Sequence, residues 1–273
     1  MKNKFSLIAG LLLITLTSIV SCSRIDLAVN LANSYITNKV DGYFDLTRDQ
    51  TSWLREALSR DIDHVKKTIF PQLASEMLNA ADTLSSRSTI DSAFVYTSYK
   101  RLENLFYQGL RIFTPNAVLF VEKLSPAQIA YFQKEFDKKA ADLKEEPQKK
   151  DYDKMKKHFD SWMGSVTSNQ KKEIKNFVST TPPTAQEAVY NRQKMVYHFV
   201  NSDQSARKNY VQKLFTSYES LREPGYAKIA EAKTRQVTGF VTSMLNRISP
   251  DQKKTLIDTI RDRANQLINI SKG

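Results

Sequence analysis

The sequence predicts an all-α fold, in which long antiparallel helices joined by short loops form a bundle. The 273 residues include only 7 glycines and 8 prolines, which is low for a β-rich protein that needs frequent turns. Apolar residues also recur at helical spacing along most of the chain. Near the C-terminus, for example, Leu256, Ile260, Ala264 and Leu267 would lie on one side of a helix and face the core.

Capping residues, prolines and apolar stripes give the order of the predicted helices. In the first part of the chain, we expect helices over residues 25–40, 48–84, 89–112, 115–123 and 126–146. Pro71 should interrupt the second of these helices, Pro115 should begin the fourth and Pro147 should end the fifth, because proline lacks the N–H that a helix interior requires.

In the second part of the chain, we expect helices over residues 150–163, 168–179, 185–200, 203–222, 225–247 and 250–270. The stretch from Thr180 to Thr184 contains two prolines and is the best candidate for a linker. Thr184 and Glu187 then have the spacing of a capping box, which would open the next helix.

Residues 1–21 have the features of a bacterial lipoprotein signal peptide. Lys2 and Lys4 precede an apolar run that is too short for a membrane-spanning helix of about 20 apolar residues. The run ends in Ile-Val-Ser-Cys, which resembles the lipobox that the lipoprotein signal peptidase cleaves. We therefore expect a mature helical domain over residues 22–273 that begins at a lipidated Cys22.

Cys22 is the only cysteine in the chain, so no internal disulfide can form and the core alone must hold the fold. The resemblance to lipoproteins implies two or three acyl chains on this residue, palmitate among them, and more than one chain is needed for stable anchoring. Ser23 replaces the aspartate that retains enterobacterial lipoproteins in the inner membrane. It therefore predicts an outer-membrane protein that faces the periplasm.

The predicted mature chain is strongly basic. Removal of Lys2 and Lys4 leaves 39 basic and 29 acidic residues, which is a net charge of +10. This charge is either a solvated surface, since the positive residues are spread along the chain, or an attraction to an anionic polymer or lipid. Nucleic acid is not an expected partner, because the predicted compartment is the cell envelope.

A short motif occurs four times, and each copy has an aliphatic residue, then serine or threonine, then glutamine three positions after the hydroxyl. The hydroxyl and glutamine residues of the four copies are Thr47 and Gln50, Ser125 and Gln128, Thr167 and Gln170, and Ser249 and Gln252. This is the pattern of a helix-capping box. The hydroxyl accepts a hydrogen bond from the N3 backbone N–H, and the N3 glutamine accepts one from the N-cap backbone.

The four copies are spaced as two similar pairs. The first two copies lie 78 residues apart, and the last two lie 82 residues apart. This spacing suggests two similar helical halves, over residues 25–163 and 166–273, that arose by duplication. The alternative is that the motif caps helices without any internal symmetry.

Two resemblances rest on these residues. The motif is similar to the Leu-Thr-x-x-Gln motif of periplasmic stress chaperones of the Spy and CpxP type, which implies a helical, cofactor-free protein that cradles unfolded clients. The lipobox, the segment from Val40 to Leu46 and the first capped helix with Pro71 resemble an uncharacterised family of helical lipoproteins in Gram-negative bacteria. That second resemblance implies a fold and a location but no activity.

The sequence does not predict an enzyme. His64, His158 and His198 are scattered, without a second His or Cys at the spacing of metal ligands, and we find no phosphate loop or nucleophile motif. Asp41 and Asp45 either perform acid–base chemistry or, as we expect, serve the turn before the next helix. We therefore expect no catalytic residues, no metal ligands and no cofactor.

Aromatic side chains are the remaining candidates for a binding site. Tyr96, Tyr99, Phe106 and Tyr107 lie on or near one predicted helix face, beside Lys100 and Arg101. They form either part of an aromatic core or a groove for an apolar or peptide ligand, with basic residues at its rim.

These features favour a non-enzymatic, lipid-anchored envelope protein that binds a protein or polymer partner in the periplasm. The lipid on Cys22 would hold the protein at the membrane. Two alternatives remain open, a chaperone-like holdase of the Spy and CpxP type and a structural linker between the membrane and the cell wall.

Overall fold

The computed structural model describes residues 23–141, 148–181 and 184–273, and within these ranges the chain forms helices, turns and loops without any strand. The predicted all-α class is confirmed. The predicted signal peptide, Cys22, Pro147 and the Pro182-Pro183 pair lie outside the described residues.

The helices follow one another with short connections. They are α1 (Ser23–Phe44), α2 (Arg48–Thr68), α3 (Phe70–Ser86), α4 (Ser92–Ile112), α5 (Thr114–Glu122), α6 (Pro126–Ala141), α7 (Gln148–Met163), α8 (Ser168–Thr180), α9 (Ala185–Val200), α10 (Gln204–Thr216), a 3₁₀ turn (Tyr218–Leu221), α11 (Pro224–Leu245) and α12 (Pro250–Lys272).

The break predicted at Pro71 occurs two residues earlier, at Ile69. This residue ends α2 and precedes α3, and its φ of −95° and ψ of −40° keep the backbone close to helical. Pro71 occupies the first turn of α3, where the backbone N–H has no partner within the helix and its loss is tolerated.

The capping box predicted at Thr184 is wrong. Thr184 has a φ of −114° and a ψ of 16°, and its side chain does not cap α9. Instead, Thr184 Oγ1 accepts a hydrogen bond from Lys233 Nζ at 2.8 Å. An N-cap residue needs extended backbone to turn its hydroxyl toward the helix, and Thr184 lacks that conformation.

The C-terminal helix α12 packs along α3. Ala74 on α3 and Ala264 on α12 are completely buried, and Leu267 lies beside them with 1% of its surface exposed. Small side chains at these positions allow the two helices to approach closely, because nothing larger than a methyl group has to fit there.

The largest core cluster is shared by both predicted halves of the chain. It contains Ala81 and Leu84 of α3 together with Ile174 of α8, Met244 of α11 and Leu256 of α12. Helices from before residue 163 and after residue 166 therefore bury their apolar faces against one another.

A second core is built around the ring of Phe132. This ring stacks on Phe44 with centroids 4.7 Å apart and meets the edge of Phe199 at 5.4 Å. Phe44 in turn contacts Phe120 at 5.3 Å. Contacts between aromatic rings thus join α1, α5, α6 and α9.

Within the described residues, every helix is too short or too polar to cross a bilayer.

Candidate functional site

The serine or threonine of each motif copy caps the helix that follows it. Thr47 Oγ1 accepts a hydrogen bond from the backbone N–H of Gln50 at 3.2 Å, and Gln50 Oε1 accepts one from the backbone N–H of Thr47 at 3.0 Å. The other three copies form the same two bonds, at Ser125 and Gln128, Thr167 and Gln170, and Ser249 and Gln252. Local side chains therefore close the first turns of α2, α6, α8 and α12.

The four glutamines also pair with each other across the fold. Gln50 Nε2 donates to Gln128 Oε1 at 3.2 Å, and Gln128 Nε2 donates to Gln50 Oε1 at 2.7 Å. Gln170 and Gln252 exchange the same two bonds, each at 3.0 Å. The first motif copy is thus joined to the second and the third to the fourth, which is the grouping given by their spacing in the sequence.

In three of these amides, the second N–H donates to a carbonyl at an equivalent position. It donates to the carbonyl two residues before the N-cap of the partner helix, as in Gln50 to Lys123 at 2.9 Å, Gln128 to Asp45 at 3.2 Å and Gln252 to Ser165 at 3.0 Å. With these bonds, the donors and acceptors of each of the three amides are fully used. These three amides therefore share one local geometry, and Gln170 forms the two pairing bonds.

The paired glutamines are structural. Gln128, Gln170 and Gln252 expose between 3% and 9% of their surface, and a buried polar group is tolerated when its hydrogen bonds are complete. Each pair connects two helix N-termini that lie far apart in the chain. The amide groups of these glutamines are therefore used within the fold.

Asp41, in the last turn of α1, and Asp45, directly after that helix, shape the connection between α1 and α2. Asp41 Oδ1 accepts a hydrogen bond from the backbone N–H of Leu46 at 2.9 Å. Asp45 has a φ of +50°, a left-handed conformation that Asp and Asn adopt more readily than most residues. The carbonyl of Asp45 also accepts the bond from Gln128, so this turn is connected to the first glutamine pair.

The three histidines lie on three different helices, α2, α7 and α9. Burial, together with the positive charge of Lys157, lowers the pKa of His158. His198 contacts the Tyr197 ring with centroids 5.9 Å apart. Across the part of the chain that the structure describes, no group of three or more His, Cys, Asp or Glu side chains could hold a metal ion.

The predicted aromatic face of α4 packs partly against α11. Tyr96 donates its hydroxyl to Glu231 at 2.8 Å, and Tyr99 donates to Glu103 at 2.9 Å. Burial and the negative charge of Glu103 raise the pKa of Tyr99 to about 12. Tyr99 also lines a cleft of about 260 Å³ between the two helices, with Lys233 of α11 on its wall.

The basic residues predicted at the rim of this aromatic face are paired with carboxylates. Lys100 forms an ion pair with Glu103, and Arg101 forms one with Glu76 at 3.5 Å. Both basic residues predicted at this rim therefore have a carboxylate partner, which makes the face a weaker candidate for ligand binding than expected.

A second cleft, on α6 and α9, has a more exposed aromatic lining. It has a volume of about 300 Å³ and is lined by Gln133, Asp137, Tyr190, Gln193, Lys194, Val196 and Tyr197. Tyr190 and Tyr197 expose 53% and 59% of their surface. The two rings lie seven residues apart on α9, so they project from the same side of the helix. We call these seven residues the α6–α9 surface.

We did not predict the α6–α9 surface from the sequence. Tyr190, Lys194 and Tyr197 have the spacing of one helix face, which was a visible signal. The same spacing also describes a buried aromatic stripe, however, and only the packing of α9 distinguishes an exposed face from a core face.

Comparison with known proteins gives a family without an assigned activity. A model described as a family of unknown function, DUF6279, matches residues 42–227. The chain belongs to this family. No curated protein and no solved structure matches the chain. The prediction that the chain resembles an uncharacterised family is thus confirmed.

The DUF6279 match covers part of the features described above. It includes the first three motif copies, Asp45 and the α6–α9 surface, whereas Asp41 lies just before it. Cys22, most of α1 and the fourth motif copy, with Ser249 and Gln252, lie outside the matched range. The second glutamine pair therefore joins a residue inside the match to one beyond it.

Proposed function

We propose that this member of DUF6279 is a non-enzymatic envelope lipoprotein, which is anchored by a lipid on Cys22 and binds a partner protein through the α6–α9 surface. The observation that carries the partner proposal is the pair of exposed tyrosine rings, Tyr190 and Tyr197, beside a cleft. The anchor proposal rests on the sequence of residues 1–22.

The α6–α9 surface has the chemistry of a protein interface. Tyrosine is enriched at interfaces because it combines a large apolar ring with a hydroxyl that forms hydrogen bonds. Lys194 lies against the Tyr190 ring, with Nζ 5.5 Å from its centroid, and Asp137 supplies the opposite charge on α6. Side chains of both signs around aromatic rings favour a partner with a mixed surface over a uniformly anionic polymer.

The proposed anchor gives the protein its location. Two or three acyl chains on Cys22 would hold it stably at a bilayer, and Ser23 favours the outer membrane of a Gram-negative bacterium, with the protein on the periplasmic side. The net charge of +10 in the mature chain would add an attraction to anionic headgroups.

The holdase alternative gains no support from the motif that suggested it. The glutamines of that motif are used in capping and pairing, and three of them are buried. The amides of these glutamines are therefore already occupied and are not free to bind an unfolded client.

The partner proposal is tested by photo-crosslinking in intact cells of the source organism. A photoreactive amino acid is placed at position 190 or 197, and as a control at Leu119, a hydrophobic residue on α5 that is 45% exposed. We expect one discrete protein adduct from positions 190 and 197 and none from 119. The K194E variant should weaken the adduct.

Three outcomes, from crosslinking, aggregation and co-sedimentation assays, would contradict the proposal. Equal adducts at all three positions would show an unspecific surface. Stoichiometric suppression of client aggregation without ATP would favour a holdase. Co-sedimentation with peptidoglycan that is released by moderate salt would favour a wall linker, since salt screens such contacts.

The anchor proposal is tested separately by mass spectrometry of the N-terminal peptide. We expect a start at Cys22 with covalent acyl chains, and we expect the C22A variant to be neither cleaved nor acylated. An unmodified Cys22 within an unprocessed chain would overturn this proposal without affecting the one on the α6–α9 surface.

A further inference from the structure

Helix α1 has an apolar stripe on its outer side. Leu27 and Leu31 expose 55% and 54% of their surface, and Tyr35 exposes 40%. These residues are four positions apart, so they follow one another along a single side of the helix. They are also three of the six large hydrophobic residues that are exposed in the described part of the chain, so α1 carries half of them.

The fold does not account for this stripe. The opposite side of α1, with Val29, Ala32, Ile36 and Val40, packs on Leu54 and Leu58 of α2 and already supplies the core. A surface helix is normally apolar on one side and polar on the other. Contiguous apolar residues on the solvent side indicate a surface that another molecule covers.

We infer that the Leu27–Leu31–Tyr35 stripe lies in the interfacial region of the lipid bilayer, with α1 as a membrane-contacting helix. This inference rests on the proposed lipid anchor at Cys22. Leu27 is five residues beyond that cysteine, which is about 7.5 Å along a helix. A bilayer that holds the lipid of Cys22 is therefore within reach of the stripe, and a lipid is the nearest available occupant.

The stripe becomes more polar with distance from Cys22, as expected for a helix that is tilted relative to the membrane surface. Leu27 and Leu31 are aliphatic, Tyr35 has a ring with a polar end, and Lys39 follows at the next position of the same spacing. Lys39 Nζ lies 5.8 Å from the centroid of the Tyr35 ring. Tyrosine and lysine are typical of the headgroup level, so the end of α1 nearest Cys22 enters the bilayer most deeply.

Spin labelling tests the inference on the lipidated protein. The thiol of Cys22 carries lipid in that protein and is the only native thiol, so L27C or L31C gives a single labelling site. The control is K254C, whose native side chain is 79% exposed. The control position is chosen for its distance from the start of α1. Ile25 of α1 packs beside Leu267 of α12, and residue 254 lies about 20 Å from residue 267 along α12.

The labelled proteins are reconstituted into vesicles of phosphatidylethanolamine and phosphatidylglycerol. We expect labels at 27 and 31 to be relaxed more strongly by oxygen, which dissolves in lipid, and the label at 254 to be relaxed by a water-soluble nickel complex. Aqueous labels at 27 and 31 would overturn the inference. Spin–spin coupling at these positions would also overturn it, because a second copy of the chain would then cover the stripe.

A second measurement does not need the lipid. The unlipidated chain 22–273 with C22S should bind the same vesicles, and the L27N/L31N double variant should bind at least about tenfold more weakly, because two leucine side chains no longer leave water. The control L119N should bind like the parent. Unchanged binding of the double variant would contradict the inference, whereas a missing lipid on Cys22 would contradict only the proposed anchor.

Discussion

Gln170 and Gln252 exchange two hydrogen bonds between their side-chain amides, each at 3.0 Å, although they lie 82 residues apart in the chain. Each glutamine also caps its own helix. The pair therefore connects the N-terminus of α8 to that of α12 through groups that are only 3% and 8% exposed. The equivalent pair of Gln50 and Gln128 connects α2 to α6.

The first prediction concerns this pair. Q252L should lower the free energy of unfolding by about 2–4 kcal/mol, because it removes a capping bond and leaves the buried amide of Gln170 without its partner. Urea denaturation followed by circular dichroism measures this loss. Q50L should cost less, since Gln50 is only half-buried and water can replace its partner.

A double-mutant cycle separates pairing from capping. We expect Q170L and Q252L to be coupled by about 0.5–3 kcal/mol, as residues that share hydrogen bonds usually are. The pair Q50L and Q252L, from different glutamine pairs, should be additive. Additive effects of Q170L and Q252L would mean that the exchanged bonds do not contribute to stability.

The second prediction concerns the contact between α3 and α12. A264L should destabilise the protein by about 1–3 kcal/mol, because Ala264 is completely buried and a larger side chain forces the two helices apart. Thermal or urea unfolding measures the effect. A206L, at an exposed position on α10, is the matched control and should change stability by less than about 0.5 kcal/mol.

The third prediction concerns the left-handed turn residue Asp45, whose φ is +50°. D45V should destabilise the protein by about 1–2 kcal/mol, since a β-branched side chain is strained in this conformation. D45G should be nearly neutral, because glycine adopts it without strain. Equal losses for both variants in urea denaturation would assign the cost to the aspartate side chain and not to the backbone.

The fourth prediction concerns alkaline pH. The pKa of Tyr99 is raised from 10.0 to about 12 by burial and by Glu103, so the unfolded chain releases this proton at a lower pH than the folded protein does. The stability that Tyr99 contributes is therefore complete below pH 10 and is lost as the pH rises toward 12. Urea denaturation at pH 9, 10 and 11 should show this decline.

The Y99F variant checks the assignment of the pH effect. It lacks the titrating hydroxyl, so its stability should fall less steeply above pH 10 than that of the parent protein. Absorbance at 295 nm should also show one fewer tyrosinate forming late in the titration. Identical slopes for both proteins would refute the role of Tyr99.

Much of the helical architecture can be predicted from the sequence because its signals are local. Ser249 and Gln252 are three positions apart and form both capping bonds of the first helical turn. Their spacing alone therefore identifies the start of α12. Thr184 shows the limit of such signals. It has the right neighbours for a cap, yet its backbone is not extended and its hydroxyl accepts a bond from Lys233, 49 residues away.

The sequence by itself determined the helical class and the motif spacing, and it predicts a lipid site at Cys22. Only the tertiary structure decided that the motif glutamines are paired, that Tyr190 and Tyr197 are exposed, and that α1 is apolar on both sides. The physical reason is that capping and helical periodicity depend on residues within one or two turns. Pairing and exposure depend instead on which helices pack together, and equal apolar spacing describes a core face and a solvent face alike.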